Sequence, residues 1–262
     1  MALNIPESKR EVFKSHTIVR CIVRLDFEDV FDVSDLAKSI IPEISNKYPQ
    51  RRKENAINLK ILSKEQDSNK DNDDVIKESV YVFFNEDNNS IKLGNTFILI
   101  DCSNYINFDD LLEIFKTLLN KLTELYPDNK YRRLGLRKIN AFFEKETENN
   151  LASFEDKLNE FYTDHLNKNV FDSALREDYH KISVPDLNDM EMLLQFRTDK
   201  GHKDNENNRR FILDIDFFTI NIEEKDIEQK LKDLNSRLFD VYVWSIKDKL
   251  KNKLRDGVCV DT

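Results

Sequence analysis

Glycine is scarce in this sequence, with four residues among 262. The glycine-built motifs that cradle phosphate groups (GxxxxGKS/T and GxGxxG) are missing, and so is the GxSxG motif that presents a nucleophilic serine. The sequence therefore excludes a nucleotide site built on a glycine-rich loop. Binding of a nucleotide by other means stays open.

Cysteine and long hydrophobic runs are also rare. Cys21, Cys102 and Cys259 are odd in number and widely spaced, without a CxxC motif, whereas secreted disulfide scaffolds have dense cysteines. We therefore expect a reducing, cytoplasmic location. The apolar runs are only a few residues long, so we expect no signal peptide, no transmembrane helix and no membrane partner.

Positive charge is in the minority, because 41 lysines and arginines face 50 acidic residues, for a formal net charge of −9. A surface devoted wholly to nucleic acid needs a positive field, so the net charge argues against this class of protein but does not exclude a local basic patch. Eighteen phenylalanines and eight tyrosines supply material for a core that a disordered chain would lack.

Hydrophobic periodicity predicts an α+β fold, with a largely antiparallel sheet or sheets packed with three or four helices and a long C-terminal helix. Period-two alternation predicts strands at residues 17–26, 56–62, 79–85, 90–93, 96–102, 134–143, 190–198 and 209–220. Helical spacing and capping residues predict helices that begin at residues 34–35 and 107–109, and others at 153–166 and 223–255. Residues 63–77 and 199–208 are polar and predict loops between strands.

The strands mostly follow one another and do not alternate strictly with helices, which favours antiparallel pairing. No repeat occurs at a fixed short period. We predict two loosely similar α+β halves, residues 1–146 and 147–262, which either share one sheet in a continuous domain or form two units.

Two strand motifs and a helix form a pattern along the chain. A Gly-Leu-Arg-x-Ile-Asn strand is followed by an Asp-Ile-Asp strand and then by the C-terminal helix. The pattern resembles a sporadically distributed family of bacterial and archaeal proteins of unknown function. The matching residues are Gly135, Leu136, Arg137, Ile139, Asn140, Asp214, Ile215 and Asp216.

The resemblance covers somewhat over a third of the chain and implies a shared prokaryotic fold without an assigned activity. A patchy distribution is typical of mobile and defence-associated genes, so the resemblance also implies a setting in antiviral defence. Lys138 stands where the family has an aromatic residue, and Asn235 stands where its last helix has a histidine. The second departure argues against a catalytic or ligand-binding histidine in this helix.

Asp214 and Asp216 lie two residues apart on a predicted strand, so both carboxylates point to the same face. Such a pair can hold Mg²⁺ or act as a general acid and base. It can also form the outer face of a half-buried strand or pair with arginines, and we favour this structural interpretation. The sequence does not show where further metal ligands would come from.

Four arginines are the other candidate binding residues. Arg133 and Arg137 share one face of a predicted strand, and Arg20 and Arg24 share the more polar face of the first strand. If the two strands are neighbours, the four side chains form a positive groove for a phosphate-bearing ligand. Our specific hypothesis is that Arg137 pairs with Asp214 or Asp216 on a neighbouring strand.

Histidine chemistry is poorly supported. His16, His165, His180 and His202 form no HExxH motif and are not closely spaced with cysteines, so we predict neither a zinc site nor a cofactor. His165 and His180 flank a poorly patterned segment and can approach one another, but incidental surface histidines are the simpler interpretation.

Two functional hypotheses follow. The first is a non-enzymatic interaction or regulatory protein, a component of a bacterial antiviral defence or toxin–antitoxin module, whose protein partner is encoded nearby. The alternative is an enzyme or sensor that acts on nucleotides or nucleic acid, with the four arginines binding phosphate and the two aspartates binding metal. The sequence leaves open whether the protein is an enzyme.

Overall fold

The first strand shows how the hydrophobic pattern builds the sheet. In the structure, a computed structural model, β1 (Ile18–Phe27) buries Cys21 and Val23 on one face and directs Arg20 and Arg24 to the other. The same alternation in the neighbouring strands gives the sheet one apolar face and one mixed face.

The structure describes residues 4–28, 32–58, 76–144, 154–163, 178–186, 189–200 and 209–257. These residues form nine strands in one antiparallel sheet and six α-helices. The remaining strands are β2 (Gln50–Asn58), β3 (Ile76–Phe84), β4 (Ser90–Gly94), β5 (Phe97–Cys102), β6 (Tyr131–Glu144), β7 (Asp178–Pro185), β8 (Met190–Lys200) and β9 (Arg209–Ile222). The helices are α1 (Ser34–Ile44), α2 (Phe108–Leu125), α3 (Phe154–Lys157), α4 (Glu160–Thr163), α5 (Ile227–Ser245) and α6 (Asp248–Asp256).

The predicted α+β class, the antiparallel sheet and the long helix near the C-terminus are confirmed. Four of the six helices are longer than two turns, while α3 and α4 have only four residues each. β7 is not among the predicted strands, and β2 already begins at Gln50, whereas the predicted second strand spans residues 56–62. Most of the predicted loops at 63–77 and 199–208 lies outside the described residues.

The predicted helix at 223–255 is wrong in one respect, because two helices replace it. Ile246 is extended (φ −113°, ψ 144°) and forms an isolated β-bridge with Leu158. The backbone N–H of Lys247 donates to the carbonyl of Lys157 across 2.8 Å. These tertiary hydrogen bonds replace helical ones and end α5 at Ser245, and helical periodicity alone does not reveal them.

The apolar sides of α1, α2, α5 and α6 pack with the buried side chains of the central strands into a single hydrophobic core. In α2, Asn107 caps the N-terminus as predicted, with its side chain accepting from the backbone N–H of Asp110 across 2.8 Å. Among the described residues, all helices lie on this one face of the sheet.

We call the opposite side of the four central strands the open face. Its side chains alternate with the core residues of β5, β1, β6 and β9. They include Phe97, Leu99, Asp101, Arg20, Ile22, Arg24, Asp26, Arg133, Arg137, Ile139, Asp214, Asp216, Phe218 and Ile220, together with the buried Ala141 and Ile212.

The strand order, β2-β3-β4-β5-β1-β6-β9-β8-β7, divides into two similar parts, or repeats, of five and four strands. The first strand of each repeat (β1 or β6) pairs with the last (β5 or β9), and a helix (α2 or α5) follows the last strand. Because β1 and β6 pair antiparallel, a pseudo-two-fold axis perpendicular to the sheet relates the repeats. The sheet is thus shared between two similar units, and the division at residue 146 stays a prediction.

Candidate functional site

All six candidate residues lie on the open face, on three adjacent strands. Because β1 pairs with β6 and β6 pairs with β9, the arginines and aspartates are brought together at the centre of the sheet. β1 and β6 are therefore neighbours, which is the condition that the predicted arginine groove required.

Arg137 pairs with Asp214, as the specific hypothesis stated. Its Nε donates to Oδ1 across 2.7 Å and its Nη2 donates to Oδ2 across 2.5 Å, which is a bidentate geometry. The side chain of Arg137 is 38% exposed and that of Asp214 is 10% exposed. The nearly buried Asp214 carboxylate therefore relies on Arg137 to compensate its negative charge, whereas the more exposed guanidinium of Arg137 also contacts solvent.

Arg20 forms the same bidentate pair with Asp101, a residue that the sequence analysis missed. Its Nε donates to Oδ1 across 2.7 Å and its Nη2 donates to Oδ2 across 2.5 Å. Asp101 lies on β5, directly opposite Ile22 of β1, and Ile22 is two residues after Arg20 in the sequence.

The two bidentate pairs occupy equivalent positions in the two repeats. Asp214 lies opposite Ile139, two residues beyond Arg137, which reproduces the relation of Asp101 to Arg20. The local sequences agree, since VRCI at 19–22 aligns with LRKI at 136–139, and ILID at 98–101 aligns with FILD at 211–214. Comparing the halves of the sequence would have identified Asp101.

The helices that follow the last strands, α2 and α5, each direct an apolar stripe at the core. Four of the buried positions in each helix have the same spacing, and both helices bury further residues outside this set. The four positions are Leu111, Phe115, Leu118 and Leu122 in α2, and Ile227, Leu231, Leu234 and Leu238 in α5.

Arg133 is held by a carboxylate and a ring together. Its Nη2 donates to Asp216 across 3.2 Å, and its guanidinium carbon lies 4.5 Å from the centroid of the Phe218 ring. Burial raises the pKa of the Asp216 carboxyl, and the Arg133 and Arg137 guanidinium groups oppose this rise. A Cβ on Gly135 would lie 2.8 Å from Arg133 Nη1, so this glycine leaves the space that the guanidinium occupies.

Arg24 shows the same combination on β1. Its Nε donates to Asp26 across 2.7 Å, and its guanidinium carbon lies 4.8 Å from the centroid of the Phe97 ring. The open face therefore presents arginines whose positions are fixed by both a carboxylate and an aromatic side chain.

The four arginines of the predicted groove face four carboxylates, those of Asp26, Asp101, Asp214 and Asp216. The centre of the open face is therefore close to electrically neutral. Asp214 and Asp216 accept from arginines and are not directed at a shared ligand position. No group of three or more His, Cys, Asp or Glu in the described parts of the chain is placed to hold a metal ion.

Lys138 is buried on the opposite, helix-covered face of β6, with 8% of its surface exposed. Its Nζ donates to Asn235 Oδ1 across 2.8 Å and lies 5.0 Å from the centroid of the Tyr105 ring. Desolvation lowers the pKa of the lysine, with the nearby Cys21 opposing the change. Lys138 lies directly opposite Cys21 in the β1–β6 pair, on the pseudo-two-fold axis.

A second ionic cluster, centred on Arg237 of α5, was missed by the sequence analysis. Arg237 donates to both carboxylate oxygens of Asp186, across 2.7 Å and 3.1 Å, and to Asp240 across 3.1 Å. Asp240 also accepts from the backbone N–H of Ser8 and pairs with Arg10 across 3.0 Å. The cluster thus attaches the N-terminal segment and the β7–β8 turn to α5.

The histidines do not come together where the structure describes them. His16 Nε2 lies 2.9 Å from the carbonyl oxygen of Tyr105, and His180 stacks on Phe196 with 4.7 Å between ring centroids. His165, His202 and Cys259 lie outside the described residues, so the approach of His165 to His180 stays a prediction.

No protein-family model and no curated protein matches this sequence. The resemblance to the family with the Gly-Leu-Arg-x-Ile-Asn strand therefore stays a prediction. Within the residues that the structure covers, no helix is long and apolar enough to cross a membrane.

Proposed function

We propose that this chain is a non-enzymatic interaction protein that binds a folded protein partner through the open face of its sheet. The observation that carries the proposal is the pairing of Arg24 with Phe97 and of Arg133 with Phe218. Arginine and aromatic side chains are enriched at protein interfaces and in binding hot spots. Here each arginine is also held by a carboxylate, so less side-chain entropy is lost on binding.

Charge and exposure support a protein as the occupant of this face. A polyanion would meet arginines whose charge is already compensated by aspartates, whereas a mixed polar and apolar protein surface suits a neutral face. Ile220 lies beside these pairs and is 48% exposed, which gives the face an accessible apolar contact.

The setting we propose for the partner is the one suggested by the sequence resemblance, a prokaryotic antiviral defence or toxin–antitoxin module with the partner encoded nearby. Regulation of that partner by binding then requires no catalytic residue in this chain.

Action on nucleotides or nucleic acid stays the alternative hypothesis, because the predicted arginines and aspartates do share one face. It requires a ligand or metal to displace the existing Arg–Asp pairs. Binding of a nucleic acid that persists when Arg20 and Arg137 are replaced by alanine would argue against this arginine site.

The test is co-expression with the products of the flanking genes, followed by native mass determination of the purified species. We expect a stoichiometric complex that the Ile220→Asp variant abolishes. Val12→Asp is the matched control, because Val12 is 94% exposed and lies outside the open face. If no neighbouring product binds, or if both variants retain the partner equally, the proposed interface is wrong.

A further inference from the structure

A pocket of about 340 Å³ lies on the helix side of the molecule, beyond the end of β5. Its walls come from the end of β5, the 103–107 loop, the first turns of α2, the β3–β4 turn and the residues after α1. This volume falls at the small end of the range for ligand sites, about 300–1,000 Å³. The pocket is separate from the open face and takes no part in the proposed protein interaction.

Two buried tyrosines contribute to the pocket lining. Tyr48 is 4% exposed and Tyr105 is 8% exposed. Neither hydroxyl has a hydrogen-bond partner among the described residues, and neither is among the unpaired polar atoms sealed from solvent. The two hydroxyls are therefore not sealed from solvent, and both residues line the pocket.

The pocket wall is fixed before any ligand binds. The side chain of Asn89 accepts from the backbone N–H of Asn104 across 2.9 Å and donates to the Asn104 carbonyl across 3.4 Å. Asn85 Oδ1 accepts from the backbone N–H of Asn89 across 3.0 Å. These hydrogen bonds attach the β3–β4 turn to the loop before α2, so the two polar walls keep their separation.

The chemistry of the lining indicates the ligand class. The two hydroxyls supply donors, Asp87 and Asp110 supply acceptors at the rim, and Leu111 and Ile114 supply an apolar wall. Burial raises the pKa of both tyrosines, which keeps their hydroxyls protonated and able to donate. A matching ligand has an apolar body and a polar edge that carries both acceptors and donors.

The charges around the pocket argue against an anion. Asp87 and Asp110 are both exposed at the rim, and the one lysine of the lining, Lys47, pairs with Glu113 across 3.5 Å. Because its charge is partly compensated, Lys47 does not offset the two carboxylates. A phosphate or carboxylate group on the ligand would be repelled.

We propose that this pocket binds an uncharged planar heterocycle, of the chemical class of nucleobases and nucleosides. The face of the ring packs on the apolar wall of Leu111 and Ile114, and the carbonyl or ring-nitrogen acceptors at its edge receive hydrogen bonds from Tyr48 and Tyr105. Its N–H groups donate to the carboxylates at the rim. A sugar fits less well, because its polar groups surround the whole molecule and would contact Leu111 and Ile114.

The test is thermal denaturation and calorimetric titration of the full chain with the common nucleosides, their 5′-monophosphates and neutral monosaccharides. We expect at least one nucleoside to raise Tm by about 5 °C at about 100 times its Kd. The corresponding monophosphate should bind more weakly. Tyr48→Phe and Tyr105→Phe should each weaken nucleoside binding by about 5- to 10-fold, without lowering the Tm of the unliganded protein.

Tyr81→Phe is the matched control, because it removes a hydroxyl outside the pocket and should leave the affinity unchanged. Asp87→Asn, at an exposed turn, should raise the affinity for the monophosphate and so reports on the pocket even if a tyrosine variant fails to fold. The proposal is overturned if no nucleoside binds, if only monosaccharides bind, or if both tyrosine variants bind as well as the wild type.

Discussion

Lys138 Nζ donates a hydrogen bond to Asn235 Oδ1 across 2.8 Å, which joins β6 to α5. Lys138 places a cation in the core, and Asn235 supplies an acceptor for it. Tyr105 adds a ring face near the ammonium group. The effect on stability of replacing either residue therefore depends on the other.

Replacing both partners by apolar residues should stabilise the protein. A buried charge is costly to desolvate, and apolar replacement of buried ionic groups often stabilises by about 1–4 kcal/mol. We expect the Lys138→Met, Asn235→Leu double variant to have a higher free energy of unfolding at pH 7, by about 1–3 kcal/mol. Urea denaturation of both proteins measures the difference, and Lys138→Met alone should gain less because it leaves the Asn235 amide without its partner.

The advantage of the double variant should shrink at high pH. The pKa of Lys138 is lower in the folded state than in the unfolded state, so unfolding takes up a proton between the two values. The contribution of Lys138 to the free energy of unfolding of the wild type therefore increases as the pH rises towards the ordinary lysine pKa, near 10.4. A stability difference that is constant from pH 7 to pH 10 would contradict the buried-cation explanation.

The Arg137–Asp214 pair should contribute measurably to stability. Arg137→Ala leaves the nearly buried carboxylate of Asp214 without its bidentate donor. Breaking a buried pair costs about 3–5 kcal/mol, and the 38% exposure of the arginine reduces our expectation to about 1–3 kcal/mol. Urea denaturation or calorimetry provides the measurement, and an unchanged Tm would rule out the structural role.

The repeat relation supplies the control for this prediction. A double-mutant cycle with Arg137→Ala and Asp214→Asn should give a coupling free energy similar to that from Arg20→Ala and Asp101→Asn. The latter pair has the same bidentate geometry and a somewhat more exposed arginine, 48% against 38%. If only one of the two pairs shows a coupling free energy, the pairs are equivalent in geometry but not in their contribution to stability.

Local sequence patterns predicted most of the strands, because hydrophobic alternation shows which side chains lie on each face of a strand. They also predicted the Arg137–Asp214 pair, because a half-buried carboxylate on one strand needs a cationic partner on the next. The pairing of Arg20 with Asp101 depends on which strand lies beside β1, which is a property of the topology. β7 was missed because it is an edge strand in which only Ile182 and Val184 supply aliphatic contacts to the core, which is too short an alternation to identify a strand. The end of α5 was missed because a distant backbone, around Leu158, provides the competing hydrogen bonds.

Arg237 should be among the most sensitive positions in the chain. Its side chain is 10% exposed and those of Asp186 and Asp240 are 0% exposed. Removing the guanidinium leaves the buried Asp186 carboxylate without its bidentate donor, while Asp240 keeps only Arg10 and the Ser8 N–H. We expect Arg237→Met to lower the free energy of unfolding by about 3–5 kcal/mol. The exposed Arg132 provides the control, and Arg132→Met should change stability by less than about 0.5 kcal/mol.

Limited proteolysis distinguishes loss of this cluster from general destabilisation. Arg237 donates to the Ile5 carbonyl across 3.4 Å and to Asp240, the carboxylate that holds Ser8 and Arg10. The Arg237→Met variant should therefore become cleavable within residues 4–16 under conditions where the rest of the chain resists. Cleavage that begins elsewhere would contradict the role of the cluster in attaching the N-terminal segment.

Cys21 and Cys102 lie directly opposite each other on β1 and β5, at a separation that suits a disulfide, yet they should stay reduced. Burial raises the pKa of Cys21 to about 12 and that of Cys102 to about 11. Since the thiolate is the reactive form, only about one Cys102 thiol in a thousand is ionised at pH 8. In a Cys259→Ser background, we expect iodoacetamide to alkylate the folded protein slowly at pH 8 and rapidly only after unfolding in denaturant, as measured by mass spectrometry. The small rate of alkylation of the folded protein should rise about tenfold per pH unit below the thiol pKa.

Rapid alkylation of the folded protein at pH 8, or a Cys21–Cys102 disulfide formed in air, would show that the pocket beside Cys102 activates the thiol.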